Sequence, residues 1–344
     1  MKSNNEENSI TIKLVAEKAG VSVATAARVM GGYGSFSDKA RKRVIKAAEE
    51  LSYMPNAIAK SMRQKRTNTI GIVVSDIQAP FFSKLVWTID NVISQYGYNV
   101  LICNTDEVTN KEIKHLRALY ERRVDGLIVS STLRNNVVIS NEQRALYEGD
   151  IPVLFVDRKV NGINCPLVAS DNYRGSYKGA KYLLELGHRK IGVIASNQNI
   201  NSIKDRLEGF KDALKEYDVE FDESNMVSYC ERAHIYEDAV ASSYDFIESH
   251  PDITAIYAIN HPVYRATWSV LKTMNKRIPE DISILGWGDS ELAEALQMTV
   301  ITQPVRSMGI RAAEMMLDMI EGKPISKECI FDTEIISRYS CKKL

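Results

Sequence analysis

The stretch TIKLVAEKAGVSVATAARVM, Thr11 to Met30, holds two short helical patterns on either side of a glycine. Thr11 stands at an N-cap position ahead of Ile12, Leu14, Val15 and Ala16, and Ala19-Gly20-Val21 ends that pattern at a residue that accepts a left-handed turn. Ser22 is placed to cap a second helix at once. Over Val23 to Met30 the helical period sets Ala26, Val29 and Met30 on one face and leaves Val23, Ala24 and Arg28 pointing away. Helix, glycine turn, helix is the pattern of a module whose second helix lies in the DNA major groove with its N-terminal residues at base edges.

Working outward, Gly31-Gly32-Tyr33-Gly34 forms a loop, and Ser37 caps a third helix running to about Leu51. Its exposed face carries Lys39, Arg41, Lys42, Arg43 and Lys46 as phosphate-contact candidates, although a basic helix face is also simply well solvated. Residues 1–68 hold 13 Lys plus Arg against 6 Asp plus Glu, so that segment is +7 and the remainder −7 in a chain of zero net charge. A basic head on an acidic body points to a head that meets a polyanion. Tyr53-Met54-Pro55-Asn56 then opens a helix of about two turns through Ala57, Ile58, Ala59, Lys60, Ser61, Met62 and Arg63. So short a helix orders only against a partner. Gln64 to Asn68 reads as a polar linker.

Continued by YMPNAIAKSMRQKRTNTIGIVVSDIQAPFF, Tyr53 to Phe82, the succession resembles the lactose-repressor/galactose-repressor family of bacterial transcription regulators, from about Thr11 to Cys341. The resemblance implies a head at 1–54, a hinge helix and linker at 55–68, and a two-lobed effector-binding and dimerisation domain at 69–344. It implies that Val23, Ala24 and Arg28 read operator bases, with Thr25 near the DNA backbone and Ser22 beside them. Asn56, Ala59 and Met62 belong to the hinge, where Met62 stands for an apolar wedge that unstacks a base step in the minor groove. Three departures bear on the operator. Ala26-Ala27-Arg28-Val29 replaces the family's Val-Ser-Arg-Val, removing a hydroxyl at Ala27; Leu14 replaces an acid; Ser52 replaces a glycine.

From Thr69 onward, apolar runs of strand length alternate with amphipathic helices: Ile70 to Val74, Asn99 to Asn104, Gly126 to Ser130, Val153 to Asp157, Lys190 to Ala195, Ala255 to Ile259 and Ile282 to Trp287. Continuous apolar strands between helices mean parallel sheets covered on both faces. The expected fold is therefore an all-α helix-turn-helix head plus an α/β domain of two doubly wound parallel-sheet lobes, periplasmic-binding-protein-like by resemblance. Ligands in such sheets sit beyond the carboxyl ends of strands. The effector-site candidates are Asp76, Phe82, Arg158, Asp171, Arg206, Asn260, Trp287 and Asp289. Several have plain structural alternatives, Asp171 and Asn260 as helix caps and Phe82 as core. Asp157, Asn172 and His261 adjoin them.

Two family carboxylates are altered: Asn-Asp becomes Asn260-His261, and Gly288 stands where a sugar-binding Asp is usual. With Arg158 and Arg206 kept, a cleft more positive than usual is expected, suited to a sugar acid or sugar phosphate. A sugar or sugar derivative is the expected effector class, with a protein co-repressor as the alternative.

Composition excludes other classes. Hydrophobic residues make up 44% and charged residues 26%, with 18 Gly and 9 Pro, which is globular rather than disordered or collagen-like. Five scattered cysteines without a Cys-x-x-Cys pair suggest reduced thiols. No apolar run is long enough for a membrane span, and MKSNNEENSI carries no signal-peptide pattern, so a cytoplasmic protein is expected and a secreted solute-binding protein is disfavoured. Gly-x-Gly-x-x-Gly, phosphate-loop and nucleophile-elbow motifs are missing, and the five histidines lack metal spacing. Neither an enzyme nor a cofactor is expected. Only three residues follow Cys341, leaving no room for the leucine heptad that makes some relatives tetramers. A homodimer on a roughly palindromic operator is the expectation.

Overall fold

The computed structural model describes residues 10–53, 66–196, 199–228 and 235–344. It divides into two units, Met1–Thr67 and Asn68–Leu344. The division falls one residue before the expected start of the effector domain. The expected boundary between head and hinge lies outside the described residues.

In the first unit, α1 (Ile12–Ala19), α2 (Val23–Gly31) and α3 (Asp38–Glu50) close on a small core of Val15, Ala16, Ala19, Ala26, Val29, Val44, Ala47 and Ala48. Five alanines among these eight let the helix axes approach closely. Gly20 ends α1 at φ 61°, ψ 44°, the left-handed cap that a Cβ would strain. Ser22 caps α2 by accepting from the Thr25 N–H, and Ser37 caps α3 from Ala40. Thr11 occupies the N-cap of α1, but its side chain makes no capping hydrogen bond.

The second unit has two six-stranded sheets. The first contains β1 (Thr69–Val74), β2 (Asn99–Asn104), β3 (Gly126–Val129), β4 (Val153–Val156), β5 (Leu167–Ser170) and β11 (Glu328–Phe331), in the order β11-β5-β4-β3-β1-β2 and all parallel. The other contains β6 (Ile191–Ala195), β7 (Met226–Ser228), β8 (Ala255–Ala258), β9 (Ser283–Trp287), β10 (Thr299–Thr302) and β12 (Glu334–Ile336), in the order β12-β10-β9-β8-β6-β7. Only β12 runs antiparallel there. Helices cover both faces, which is why strands such as β3, β4, β8 and β9 are buried throughout.

The first lobe packs α4 (Pro80–Ile93) and α12 (Val305–Ile320) on one face of its sheet, and α5 (Thr109–Glu121) and α6 (Asn141–Glu148) on the other. The second lobe packs α7 (Asn172–Glu185) and α8 (Asn201–Glu216) on one face, with α9 (Ile235–Ser249), α10 (His261–Thr273) and α11 (Glu291–Ala295) opposite. The chain passes between lobes three times: after β5, after β10, and between β11 and β12. Strands β5, β7, β10 and β11 and helices α6, α9 and α11 go beyond the expected elements. Strand β7 has only three residues, too few to show a period.

Candidate functional site

The carboxyl ends of β1, β4, β8 and β9 meet in a cleft between the lobes, lined by Asp76, Phe82, Glu107, Asp157, Arg158, Arg206, Asn260, His261, Trp287 and Gln303. On the first-lobe wall, the chain turns sharply after β4. Asp157 has φ 63°, and the Arg158 N–H donates to the Val156 carbonyl at 2.7 Å, a tight γ-turn in a sparsely populated backbone region. This turn aims two successive side chains into the cleft. Arg158 donates from Nη1 to both carboxylate oxygens of Glu107, at 2.9 and 2.8 Å, and its Nε lies 3.5 Å from Asp157. Its guanidinium also stands 6.0 Å from the Phe82 ring centroid. Asp76 and Asp157 both have pKa values raised, chiefly by burial, with the Glu107 charge adding to the effect in each.

On the second-lobe wall, Arg206 projects from the second turn of α8. It donates from Nε to Asn172 Oδ1 at 2.8 Å and from Nη1 to the Ile259 carbonyl at 2.9 Å. Its guanidinium lies 3.9 Å from the Trp287 ring centroid, a cation–π stack. Burial brings its pKa down to about 10, so it stays charged at neutral pH. Trp287 is buried and donates from Nε1 to Gln303 Oε1 at 3.1 Å; Gln303 in turn donates to Ser170 Oγ at 2.7 Å. Gln303 thus joins the cleft wall to two of the three interlobe crossovers. Asn260 caps α10 by accepting from the Val263 N–H and donates to Ser196 Oγ. Beyond His261 and Pro262 the cleft adjoins a wider vestibule lined also by Gln78, Lys111, Tyr236 and Arg265.

Of the eight effector candidates, Asp76, Phe82, Arg158, Arg206, Asn260 and Trp287 line this cleft. Two do not. Asp171 caps α7, accepting from the Arg174 N–H at 2.8 Å, and lines a separate polar groove with Lys159, Asp205 and Glu328. Asp289 accepts from Arg338 Nη1 and Nη2, at 2.8 and 3.1 Å, and does not occupy the place left by Gly288. Sequence reasoning did not single out Glu107, although it lies three residues beyond β2, where the strand-end rule also applies. The cleft brings three carboxyl groups, Asp76, Glu107 and Asp157, together with Arg158 and Arg206, and both arginines are already engaged by protein groups.

In the head, Val23 is 44% exposed, and Ser22, Ala24 and Arg28 are exposed beside it at the start and middle of α2, while Thr25 is half-buried with its hydroxyl 2.9 Å from that of Ser22. Lys39, Arg41 and Lys42 stand exposed on α3. Arg43 is already committed, donating to the Gly20 carbonyl at 2.6 Å and so securing the end of α1. Asn56, Ala59 and Met62 lie outside the described residues.

A helical reading head in one unit and a two-lobed ligand cleft in the other define a ligand-responsive DNA-binding protein. Residues 11–56 match the family described as "Bacterial regulatory proteins, lacI family", and residues 67–343 match "Periplasmic binding proteins and sugar binding domain of LacI family". The chain is 36% identical to the ribose operon repressor of Halalkalibacterium halodurans, over 92% of both chains. Among solved structures it is similar to the transcriptional regulator CelR in complex with cellobiose, with 27% identity and a TM-score of 0.70 over 96% of this chain and 100% of that one. It is also similar to a periplasmic binding protein/LacI transcriptional regulator of Alkaliphilus metalliredigens complexed with D-xylulofuranose, with 26% identity and a TM-score of 0.69 over 80% and 99%. The chain belongs to the lacI family of bacterial regulatory proteins. It is a transcription regulator with a helix-turn-helix head and an effector domain of the sugar-binding type, not an enzyme.

Proposed function

We propose that this regulator represses transcription from a palindromic operator and that a small uncharged sugar, of pentose size, controls its affinity for DNA. The observation that carries the choice of an uncharged ligand is that protein groups already engage both arginines of the cleft: Glu107 pairs with Arg158, and Asn172, the Ile259 carbonyl and the Trp287 ring hold Arg206. What remains for a ligand is carboxylate and amide hydrogen-bonding capacity beside Phe82 and Trp287, a lining that suits hydroxyls and the apolar face of a sugar ring. Relatives named for ribose, cellobiose and D-xylulofuranose support this class.

In this reading Asp76, Phe82, Arg158, Arg206, Asn260 and Trp287 surround the sugar. Asp171 and Asp289 serve the frame of the lobes. Val23, Ala24 and Arg28 read bases, Ser22 and Thr25 meet the backbone, and Asn56, Ala59 and Met62 occupy the minor groove as a hinge at 55–68. The protein acts in the cytoplasm as a homodimer. Trp87 on α4 and Ile102 on the edge strand β2, 64% and 51% exposed, give the first lobe an apolar face for the second copy. Sugar binding changes lobe closure, and closure resets the spacing of the two hinges.

Calorimetric titration of the full chain with D-ribose, D-xylulose, D-ribonate and ribose 5-phosphate tests the class of ligand. Saturable binding of a neutral pentose at one site per chain, shifting operator affinity in a parallel fluorescence assay, is the expected result. Binding of the acids alone would refute it.

A further inference from the structure

We propose that Glu107 is a built-in counter-ion that sets the charge selectivity of the effector cleft: it holds Arg158 as an acidic ligand would, and so reserves the cleft for uncharged ligands. The inference rests on the cleft being the effector site. An arginine in a ligand pocket ordinarily recruits a carboxylate or phosphate through paired charged hydrogen bonds. Here the protein supplies that carboxylate itself. Glu107 reaches across 51 residues of sequence to place both of its oxygens on Arg158 Nη1, and the two side chains keep only 9% and 12% of their surface in water.

The placement is enforced by the loop. Asp106 and Glu107 are consecutive non-glycine residues in the left-handed region, at φ 50° and 57°. Such conformations persist only where surroundings hold them. Asp106 is held by Asn104 and Lys111, and the Glu107 N–H donates to the Ser75 carbonyl at 3.1 Å. An anion entering the cleft must displace Glu107 from Arg158. It then leaves a barely exposed carboxylate beside Asp76 and Asp157, whose own ionisation Glu107 already opposes. An uncharged hydroxyl faces no such exchange, because it donates to the carboxylates while the ion pair stays closed.

The test uses the full chain and two variants, Glu107→Gln and Glu107→Asn; the second suits a left-handed position and guards against a folding defect in the first. Inorganic sulfate is the first probe, read by thermal melting, with Glu107→Gln/Arg158→Gln measuring the general stabilisation that sulfate gives any protein. Both single variants should show a saturable sulfate-dependent rise in melting temperature that the wild type and the double variant lack. The second probe is the matched pair D-ribose and D-ribonate, for which the single variants should favour the acid at least tenfold more than the wild type does. No gain for either anion in either variant overturns the proposal. Wild-type binding of D-ribose without that gain sinks the counter-ion alone; a sulfate gain in the variants, with wild type indifferent to every neutral sugar, sinks the sugar reading and leaves the counter-ion standing.

Discussion

His261, in the first turn of α10, is an imidazole kept neutral. Burial, aided by the Arg265 charge, lowers its pKa to about 4, and its ring packs edge-on against Tyr264 with centroids 4.8 Å apart. The folded chain therefore binds fewer protons than the unfolded chain between about pH 4 and the ordinary histidine value near 6.5. The sign follows: this contribution to stability is intact above pH 6.5 and is lost as the pH falls toward 4. Between pH 7 and 5 the loss is on the order of 2 kcal/mol. Asp76, Asp157 and Glu112, whose pKa values are raised, act in the opposite direction, so the comparison must be between variants. His261→Gln should show a flatter fall in urea stability between pH 7 and 5 than the wild type; parallel curves would refute a buried neutral imidazole. At this scale the sequence was an uneven guide. Arg158 and Arg206 were legible because they sit within recognisable motifs. Asp171 and Asp289 occupy the right strand ends, but a local cap takes one, and a partner 49 residues away takes the other. Glu107 was missed because its role depends on an arginine from a different strand.

Among elements, the pairing of α7 with α8 shows how one motif serves three purposes. In Arg206-Leu207-Glu208-Gly209-Phe210 the arginine enters the cleft, and Leu207 and Phe210 fill the core, with Phe210 stacked on Tyr257 at 5.3 Å. Gly209 lets α7 pass. A Cβ there would stand 2.1 Å from the Tyr173 carbonyl oxygen and 3.1 Å from the Tyr177 nitrogen, both backbone atoms that cannot rotate away. Gly209→Ala should therefore destabilise the effector domain by about 3 kcal/mol, at the upper end of overpacking penalties. The urea midpoint should fall without a change in slope. A loss below about 1 kcal/mol would mean that the helices slide apart freely. Elements with a sustained period or strong caps, such as α2, α3 and the long strands of each sheet, were readable beforehand. Those defined by pairing alone, such as β7, were not, since three residues carry no pattern.

For the whole molecule, coupling between cleft and head is a matter of two free energies that must agree. If sugar and operator bias a single equilibrium, the factor by which sugar changes operator affinity equals the factor by which operator changes sugar affinity. Titrating each ligand in the presence and absence of the other checks the equality. Unequal factors would exclude one shared equilibrium. The equality should survive in His261→Gln, because reciprocity holds for any variant that binds both ligands.

The three crossovers also determine how this chain can come apart and how it can be made. The first lobe is built from residues 69–170 together with α12 and β11, and the second from the segment between, closed by β12. A single proteolytic nick in either lobe therefore cannot release an intact half, since each half is stitched through the other. The same stitching orders synthesis. The first lobe lacks a covering helix and an edge strand until Phe331 has left the ribosome, by which time nearly all of the second lobe has been made. A nascent chain halted near Thr302 would thus expose the apolar face that α12 covers.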